Sequence, residues 1–442
     1  MSKAETVASS SGKTDNAKMI GAICASLFGW SLDLFDLFIL LYVAPVIGAA
    51  FFPSSQPTLS LAAVYGSFAV TLLMRPVGSA VFGHYADTHG RKGAMTFAVI
   101  GVGLSTAAFG LLPTIQQAGY IAPVIFLVLR LVQGVFVGGV VASTHTIGTE
   151  SVPASWRGVM SGLIGGGGAG IGALLASLAF FITSWIFPGD AFAVWGWRCM
   201  FFSGLLSSIL GIFVATSLEE SPFWQELQKA KAARQAGTRS APLRDLFGSR
   251  SRNVLLINVL ITFGGGAAYY LTSGYMPTFF KVINGIPNNV SSVILMAGSI
   301  TTIIASAAAG ALSQRIGRKL TFILVGIVGV LALPWLYSQL GATKDLTTIT
   351  VYSLVIIFIG NATYGPIMIF LNERFPTEFR ATGTGLSWNI GFAIGGMMPT
   401  LVTAASATMA DIPRTLAMFT AGIFVVYLIG SFLIRETKDQ MQ

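Results

Sequence analysis

Four charged side chains sit where charge is expensive. Asp33, Asp36, Arg75 and Arg130 lie inside long apolar stretches of a 442-residue chain. Each costs about 2.5–3.5 kcal/mol in a membrane interior unless it is paired or wet. Asp33 and Asp36 are three residues apart, so they share one helical face. Asp36 and Arg130 fall at matching depths, roughly 13–15 Å from the ends of their helices, while Arg75 lies nearer Asp33 in depth. Burial favours the protonated carboxyl and a neighbouring guanidinium favours the ionised one. An acid that gains or loses an arginine partner therefore changes its protonation with conformation. An arginine released from its acid can hold a carboxylate through its planar fork. This reading makes Asp36, with Asp33 and Arg130, the proton-coupling set. It makes Arg130, with Gln133 close by on the same helix, the anchor for an anionic ligand. The competing reading is a pair of static ion bridges bracing the first half of the chain, and Arg75 fits that role best of the four.

The second half carries no such deep charges. It offers Tyr269, Tyr270, Thr272, Ser273, Asn361, Tyr364, Trp388 and Asn389 instead. Taken singly, such groups commonly hydrogen-bond neighbouring helices in membrane bundles. Taken together, Tyr269, Tyr270, Asn361, Tyr364, Trp388 and Asn389 form an expected wall for substrate recognition opposite the charged half.

The elements that position these residues are long apolar segments. The chain is 54% hydrophobic and 10% charged, far below the roughly 25% charge of soluble domains. Twelve segments reach or exceed the ~20 residues a bilayer requires: 18–46, 59–84, 92–113, 119–149, 156–184, 194–217, 253–280, 289–313, 319–340, 347–373, 379–406 and 412–434. The expected fold is all-α and polytopic, with two pseudo-symmetric six-helix bundles. The organisation is a tail 1–17, a bundle 18–217, a linker 218–252, a bundle 253–434 and a tail 435–442. Of the 26 lysines and arginines, 20 fall in the termini and the even-numbered connections, which places both termini and the linker in the cytoplasm. The linker reads as a short amphipathic helix on the membrane surface. The net charge of +9 is thus a product of topology, with no nucleic-acid partner implied.

The two halves repeat. Gly83–Lys92 (GHYADTHGRK) returns as Gly310–Lys319 (GALSQRIGRK), and Glu150–Gly158 (ESVPASWRG) returns as Glu373–Ala381 (ERFPTEFRA). Duplicated membrane halves are the mark of a carrier that alternates access. Gly83, Asp87, Gly90 and Arg91 fall in the first motif, and Arg157 and Arg380 in the two copies of the second. Gln314 stands where Asp87 does, so the second copy lacks that anion. The 51 glycines, including Gly165–Gly168, allow close helix approach rather than phosphate binding. Two isolated cysteines and three histidines show no metal-ligand spacing, so no metal and no cofactor is expected beyond the coupling proton. No nucleophile–base constellation indicates an enzyme.

These motifs resemble the major facilitator superfamily over nearly the whole chain. Gly83–Lys92 is similar to its helix 2–3 motif, and Arg130–Gly134 (RLVQG) to the helix 4 motif of proton-linked members. ESPFW after helix 6 and RETK after helix 12 resemble sugar- and metabolite-carrier endings. WSLDLFD at Trp30–Asp36 and RPVGSAVFG at Arg75–Gly83 resemble proton-coupled organic-acid carriers of the sialate, monocarboxylate and aromatic-acid types. A departure is Gly138-Gly139-Val140, where relatives often carry an acid after the paired glycines. The resemblance implies that Asp36 pairs with Arg130 and that the Asp87 motif latches the halves near Glu378–Gly383, which makes Gly83, Asp87, Gly90, Arg91, Arg157 and Arg380 the expected gating residues and the second latch, with Gln314, the weaker. The expectation is a monomeric inner-membrane proton symporter in a bacterium, embedded in lipid and carrying a small organic acid, a monocarboxylate. The alternatives are a proton antiporter exporting an amphipathic compound, and a transporter-like membrane sensor of ligand.

Overall fold

A computed structural model describes the backbone of residues 3–89, 91–150, 152–206, 208–209, 212, 249–375 and 380–440. It is helical, with no strand among the described residues. Among the described residues the helices form twelve successive segments, nine of them long and apolar enough to cross a membrane. The first half holds α1 (Lys3–Phe51), α2 (Pro57–His89), α3 (Arg91–Leu111), α4 (Ile121–Glu150), α5 (Ala154–Ile186) and α6 (Phe192–Leu206). The second holds α7 (Arg252–Asn284), α8 (Asn288–Ile316), α9 (Arg318–Ala342), α10 (Leu346–Arg374), α11 (Arg380–Gly396, continued by Met398–Ala405) and α12 (Ile412–Leu433).

Two boundaries differ from expectation. Helical backbone begins at Lys3 rather than near residue 18, because 3–17 contains no proline and only one glycine. α2 continues through His89, so most of the first repeat motif is helix, not loop. The second copy shows the same register: α8 runs to Ile316, Gly317 turns at φ +97°, and α9 starts at Arg318. Only glycine adopts that backbone readily. Gly83 lies within the helical backbone of α2. Gly90, most of the linker including its expected surface helix, and part of the Glu378–Gly383 latch site lie outside the described residues. So do the side chains of Asp87, Arg91 and Arg380.

Two seams join the halves. Along one, α5 presents Gly158, Gly162, Gly166 and Gly170 at four-residue spacing to α8. A Cβ at Gly162 would overlap the Ser306 carbonyl, so the backbones meet there directly. Ser161 Oγ donates to the Gly365 carbonyl (2.8 Å) and accepts from the Ile369 amide (3.0 Å), tying α5 to α10. Along the other seam, α2 packs on α11 and α7. Tyr65 stacks on Tyr275 at 5.1 Å and bonds Thr278 Oγ1 at 2.7 Å. The halves therefore touch toward both ends, and the centre between them is enclosed.

α5 and α7 contain π-helical turns at Leu163–Gly167 and Tyr270–Gly274, and α10 unwinds at 363–366 before resuming at Ile367. Such irregular turns are tolerated at membrane depth where protein covers the freed backbone groups. Here the Gly165 carbonyl accepts the Trp30 indole N–H at 2.9 Å.

Candidate functional site

The four intramembrane charges separate into two clusters. The first is internal to the N-terminal half. Arg130 Nη1 donates to Gln133 Oε1 (2.7 Å), and Gln133 Nε2 donates to Thr106 Oγ1 (2.7 Å). The guanidinium carbon lies 4.0 Å from the centre of the Phe109 ring and 5.1 Å from that of Phe126, with Phe201 at 6.0 Å. These partners come from α3, α4 and α6, all in the first half. Such ring contacts offset part of the cost of a buried cation. Gly204 brings α6 against this group. A Cβ there would stand 2.6 Å from the Thr106 methyl and 3.3 Å from Asp36 Oδ1. Asp36, 2% exposed, thus borders the same polar core as the Arg130–Gln133–Thr106 chain.

The second cluster faces the opposite half. Asp33 Oδ2 lies 3.6 Å from Arg75 Nη2, and both side chains are buried. That distance is an ion pair, too long for a hydrogen bond. Trp30, one turn from Asp33 on α1, meets Trp388 edge-on at 5.9 Å. Phe68 and Leu72, on the α2 face that leads to Arg75, meet the other half at Tyr270 (5.3 Å between rings) and Gly396. Residues expected to form the recognition wall thus lie across the seam from the elements that carry this pair. The rings of that wall touch one another: Trp388 stacks on Phe392 at 4.2 Å, Tyr364 meets Trp388 at 5.3 Å, and Tyr269 meets Tyr364 at 5.3 Å and Phe38 at 5.8 Å.

This region also concentrates unfulfilled polar atoms. Both Asp33 oxygens, Arg75 Nε, the Tyr269 hydroxyl, Asn361 Oδ1 and Asn389 Oδ1 are buried without a hydrogen bond. Many other buried hydroxyls bond the preceding helical turn, as Thr272, Thr403 and Thr420 do, although those of Ser184, Ser353 and Thr400 have no partner. Asn361 satisfies only its amide nitrogen, on Ser273 (2.8 Å) and the Ile357 carbonyl (2.7 Å). Buried polar groups are nearly always paired, so such a cluster is unusual. Arg130 Nε and Nη2 also lack hydrogen bonds, but aromatic rings of its own half cover that guanidinium.

At the end of the bundle that carries the termini, Arg318 binds Glu373 at 3.0 and 3.2 Å, together with Ser313 Oγ and Gln314 Oε1 (both 2.9 Å). Thr437 Oγ1 donates to the same glutamate, and Asp439 accepts from Gln314 Nε2. Gln314 itself is uncharged, yet carboxylates from α10 and the C-terminal segment surround the second repeat motif. Arg157, half-buried, lies in the first turns of α5 at this end. The aromatic cover of Arg130, Thr106 and the Arg318–Glu373 pair were not singled out in the sequence. The repeat does signal the last, since both copies keep the Arg and the Glu in register.

Comparison with known proteins gives a consistent result. The model of the Major Facilitator Superfamily matches residues 19–400. The inner membrane metabolite transport protein YhjE of Escherichia coli K12 is 29% identical over 423 residues, covering 95% of this chain and 94% of that protein. The glycine betaine/proline/ectoine/pipecolic acid transporter OusA of Dickeya dadantii is 28% identical, covering 96% and 85%. The alpha-ketoglutarate permease of Escherichia coli K12 is 27% identical, covering 96% of each. In fold, the chain is similar to the xylose transporter XylE of E. coli in a partially occluded inward-open conformation. The TM-score is 0.74 with 17% identity, over 96% of this chain and 99% of that one.

Proposed function

This chain belongs to the Major Facilitator Superfamily, and from that premise we propose that it is a proton-coupled symporter taking up a small organic anion, a monocarboxylate, across a bacterial inner membrane. Curated relatives are named for carrying alpha-ketoglutarate, proline and betaines, all of which bear a carboxylate. The observation that carries the reading is the buried Asp33–Arg75 pair at the seam, 3.6 Å apart and without a hydrogen bond between its members.

In this account the substrate carboxylate takes Arg75, which can offer two parallel N–H donors. Arg75, rather than Arg130, has this role, because its pair with Asp33 lies on the elements whose Trp30, Phe68 and Leu72 meet the other half. Asp33 loses its counter-charge as the substrate arrives, and that loss favours its protonation. Asp36, one turn along α1 and bordering the Arg130–Gln133–Thr106 core, is the acid whose proton drives accumulation. Tyr269, Tyr270, Asn361, Tyr364, Trp388 and Asn389 select the substrate body. The glycine seam between α5 and α8 closes one end and the α2–α7–α11 seam the other. With the termini in the cytoplasm, α5 and α8 form the inner gate.

The test is uptake into proteoliposomes of a panel comprising propanoate, lactate, pyruvate, 2-oxoglutarate and glycine betaine, with and without an inward proton gradient. Gradient-driven accumulation of a monocarboxylate is expected. Accumulation of none of the panel, or uptake indifferent to the gradient, would overturn the reading.

A further inference from the structure

The break in α10 is occupied by a side chain of the other half. Between residues 363 and 366 the helix is unwound, and it resumes at Ile367. The sequence suits a start one residue earlier. Gly365-Pro366 would place glycine at the N-cap and proline at the first helical position, which is where a helix tolerates both. In a helix so started, the Gly365 carbonyl accepts the Ile369 N–H as the first rung. Here the Ile369 N–H donates instead to Ser161 Oγ (3.0 Å), and the same hydroxyl donates to the Gly365 carbonyl (2.8 Å). Ser161 of α5 is thus inserted into this rung, a known cause of a helix break. The following rung, Phe370 N–H to the Pro366 carbonyl, is direct at 3.0 Å. Pro366 sits at φ −86° and ψ −8°. Bringing that ψ to the helical value, a rotation of roughly 35°, is the main change that closing the rung requires.

The place of Ser161 joins this rung to the gate on one side and to the wall on the other. Ser161 is buried and precedes Gly162, where a Cβ would overlap the Ser306 carbonyl of the α5–α8 seam. A Cβ at Gly365 would overlap the same carbonyl, so α5, α8 and α10 meet there backbone to backbone. Tyr364 adjoins Gly365, and its ring meets Trp388 and Tyr269, each at 5.3 Å. Its N–H donates to the Asn361 carbonyl (3.0 Å), which also accepts from Ser306 Oγ (3.1 Å). Two residues of the recognition wall are therefore carried by the segment that ends at the interrupted rung.

We propose that Ser161 is a positioning residue that couples the α5–α8 gate to the recognition wall. With the seam closed, its hydroxyl holds the Gly365–Ile369 rung open and fixes Tyr364 against Trp388. When the seam opens, Ser161 leaves with α5, the Ile369 N–H passes to the Gly365 carbonyl, and the helix lengthens by one residue at its start. Both backbone groups keep a partner in either state, as buried backbone at membrane depth requires. Tyr364 is drawn off Trp388 by the same step, so the wall loosens as the gate opens. This deepens the alternating-access reading and rests on it for the roles of gate and wall, whatever anion is carried.

The experiment uses the full chain in detergent, without substrate. 3-Fluorotyrosine introduced in place of Tyr364 alone reports the wall by ¹⁹F resonance, because the adjacent Trp388 ring shifts that signal. Spin labels at the exposed positions Trp156 and Ile316 report the gate. In the parent protein and in Gly162→Ala, whose methyl forces the seam apart, the displaced fraction of Tyr364 should equal the open fraction of the gate. In Ser161→Ala the displaced fraction should exceed the open fraction, at the resonance seen in Gly162→Ala, because the rung closes while the seam is still shut. Equal fractions in Ser161→Ala would reduce the hydroxyl to a tie between the halves and overturn the proposal. So would a Tyr364 resonance that stays in place in Gly162→Ala while the label distances lengthen. Failure of the substrate reading looks different: no acid of the panel accumulates, yet the two fractions still separate in Ser161→Ala.

Discussion

Asp33 and Arg75 meet at 3.6 Å across α1 and α2, buried on the face that the first half turns toward the second. The pair is electrically matched but not hydrogen-bonded, so each member remains available to another partner. Arg75→Gln should therefore remove carboxylate binding. A charge-assisted hydrogen bond is worth about 1.5–3 kcal/mol, so affinity should drop roughly 10–100-fold. Asp33→Asn keeps the guanidinium and removes its competitor, so equilibrium affinity should hold or rise. Calorimetric titration with a transported acid measures both.

Asp36→Asn should abolish accumulation against a gradient while sparing exchange of internal for external substrate. Proteoliposome counterflow, run beside gradient-driven uptake, separates the two activities. Thr106→Val, which removes the acceptor of Gln133 Nε2 at the same core, should shift the pH dependence of uptake without altering substrate ranking.

Trp388→Ala, Tyr364→Phe and Asn389→Ala should change which acids are preferred more than they change proton coupling. A competition panel read as inhibition of uptake reports the ranking. An unchanged ranking in all three variants would remove these residues from the recognition wall.

Gly162→Ala places a methyl against the Ser306 carbonyl. The α5–α8 seam cannot then close as drawn, and the population should move toward opening at the end that carries the termini. Spin labels at the exposed positions Trp156 and Ile316 should report longer distances than in the parent protein.

Glu436 supplies a stability test outside the membrane. Burial alone would raise its carboxyl, but the backbone N–H groups of Arg318, Lys438, Lys319 and Thr437 outweigh burial and hold it below the ordinary 4.5. A depressed carboxylate contributes stability that is complete above its unfolded value and lost as pH falls through the folded one. Thermal melts should therefore show a Glu436-dependent decline below pH 4.5 that Glu436→Gln abolishes, with a lower melting temperature for that variant at pH 7.

The segments and the duplication could be read from hydropathy and repeated motifs because both are local patterns. The helix ends could not, since 3–17 and 84–89 are polar yet contain little to stop a helix. The residue types of the candidate site could be read, because acids and arginines in one half and aromatic and amide groups in the other stand out in apolar segments. Which arginine faces the other half could not. Depth along a helix matches Asp36 with Arg130, but the rotation of α2 and α4 decides which arginine faces the other half, and that rotation depends on packing. Phe109, Phe126 and Phe201 turn Arg130 inward, and aromatic residues are too common in apolar segments to announce that cover. Gln314 lacks the charge that Asp87 carries. The carboxylates around it arrive from Glu373 and Asp439, far away in the chain.

The central claim is that Arg75 at the seam, not Arg130 inside the first half, meets the substrate carboxylate. The most direct measurement is the equilibrium affinity of Arg75→Lys and Arg130→Lys for one transported monocarboxylate, compared in the same titration. Lysine keeps the charge and loses the planar fork. A loss of roughly ten-fold or more in Arg75→Lys, with Arg130→Lys within about two-fold of wild type, is the predicted result. Wild-type affinity in Arg75→Lys beside a large loss in Arg130→Lys would contradict it.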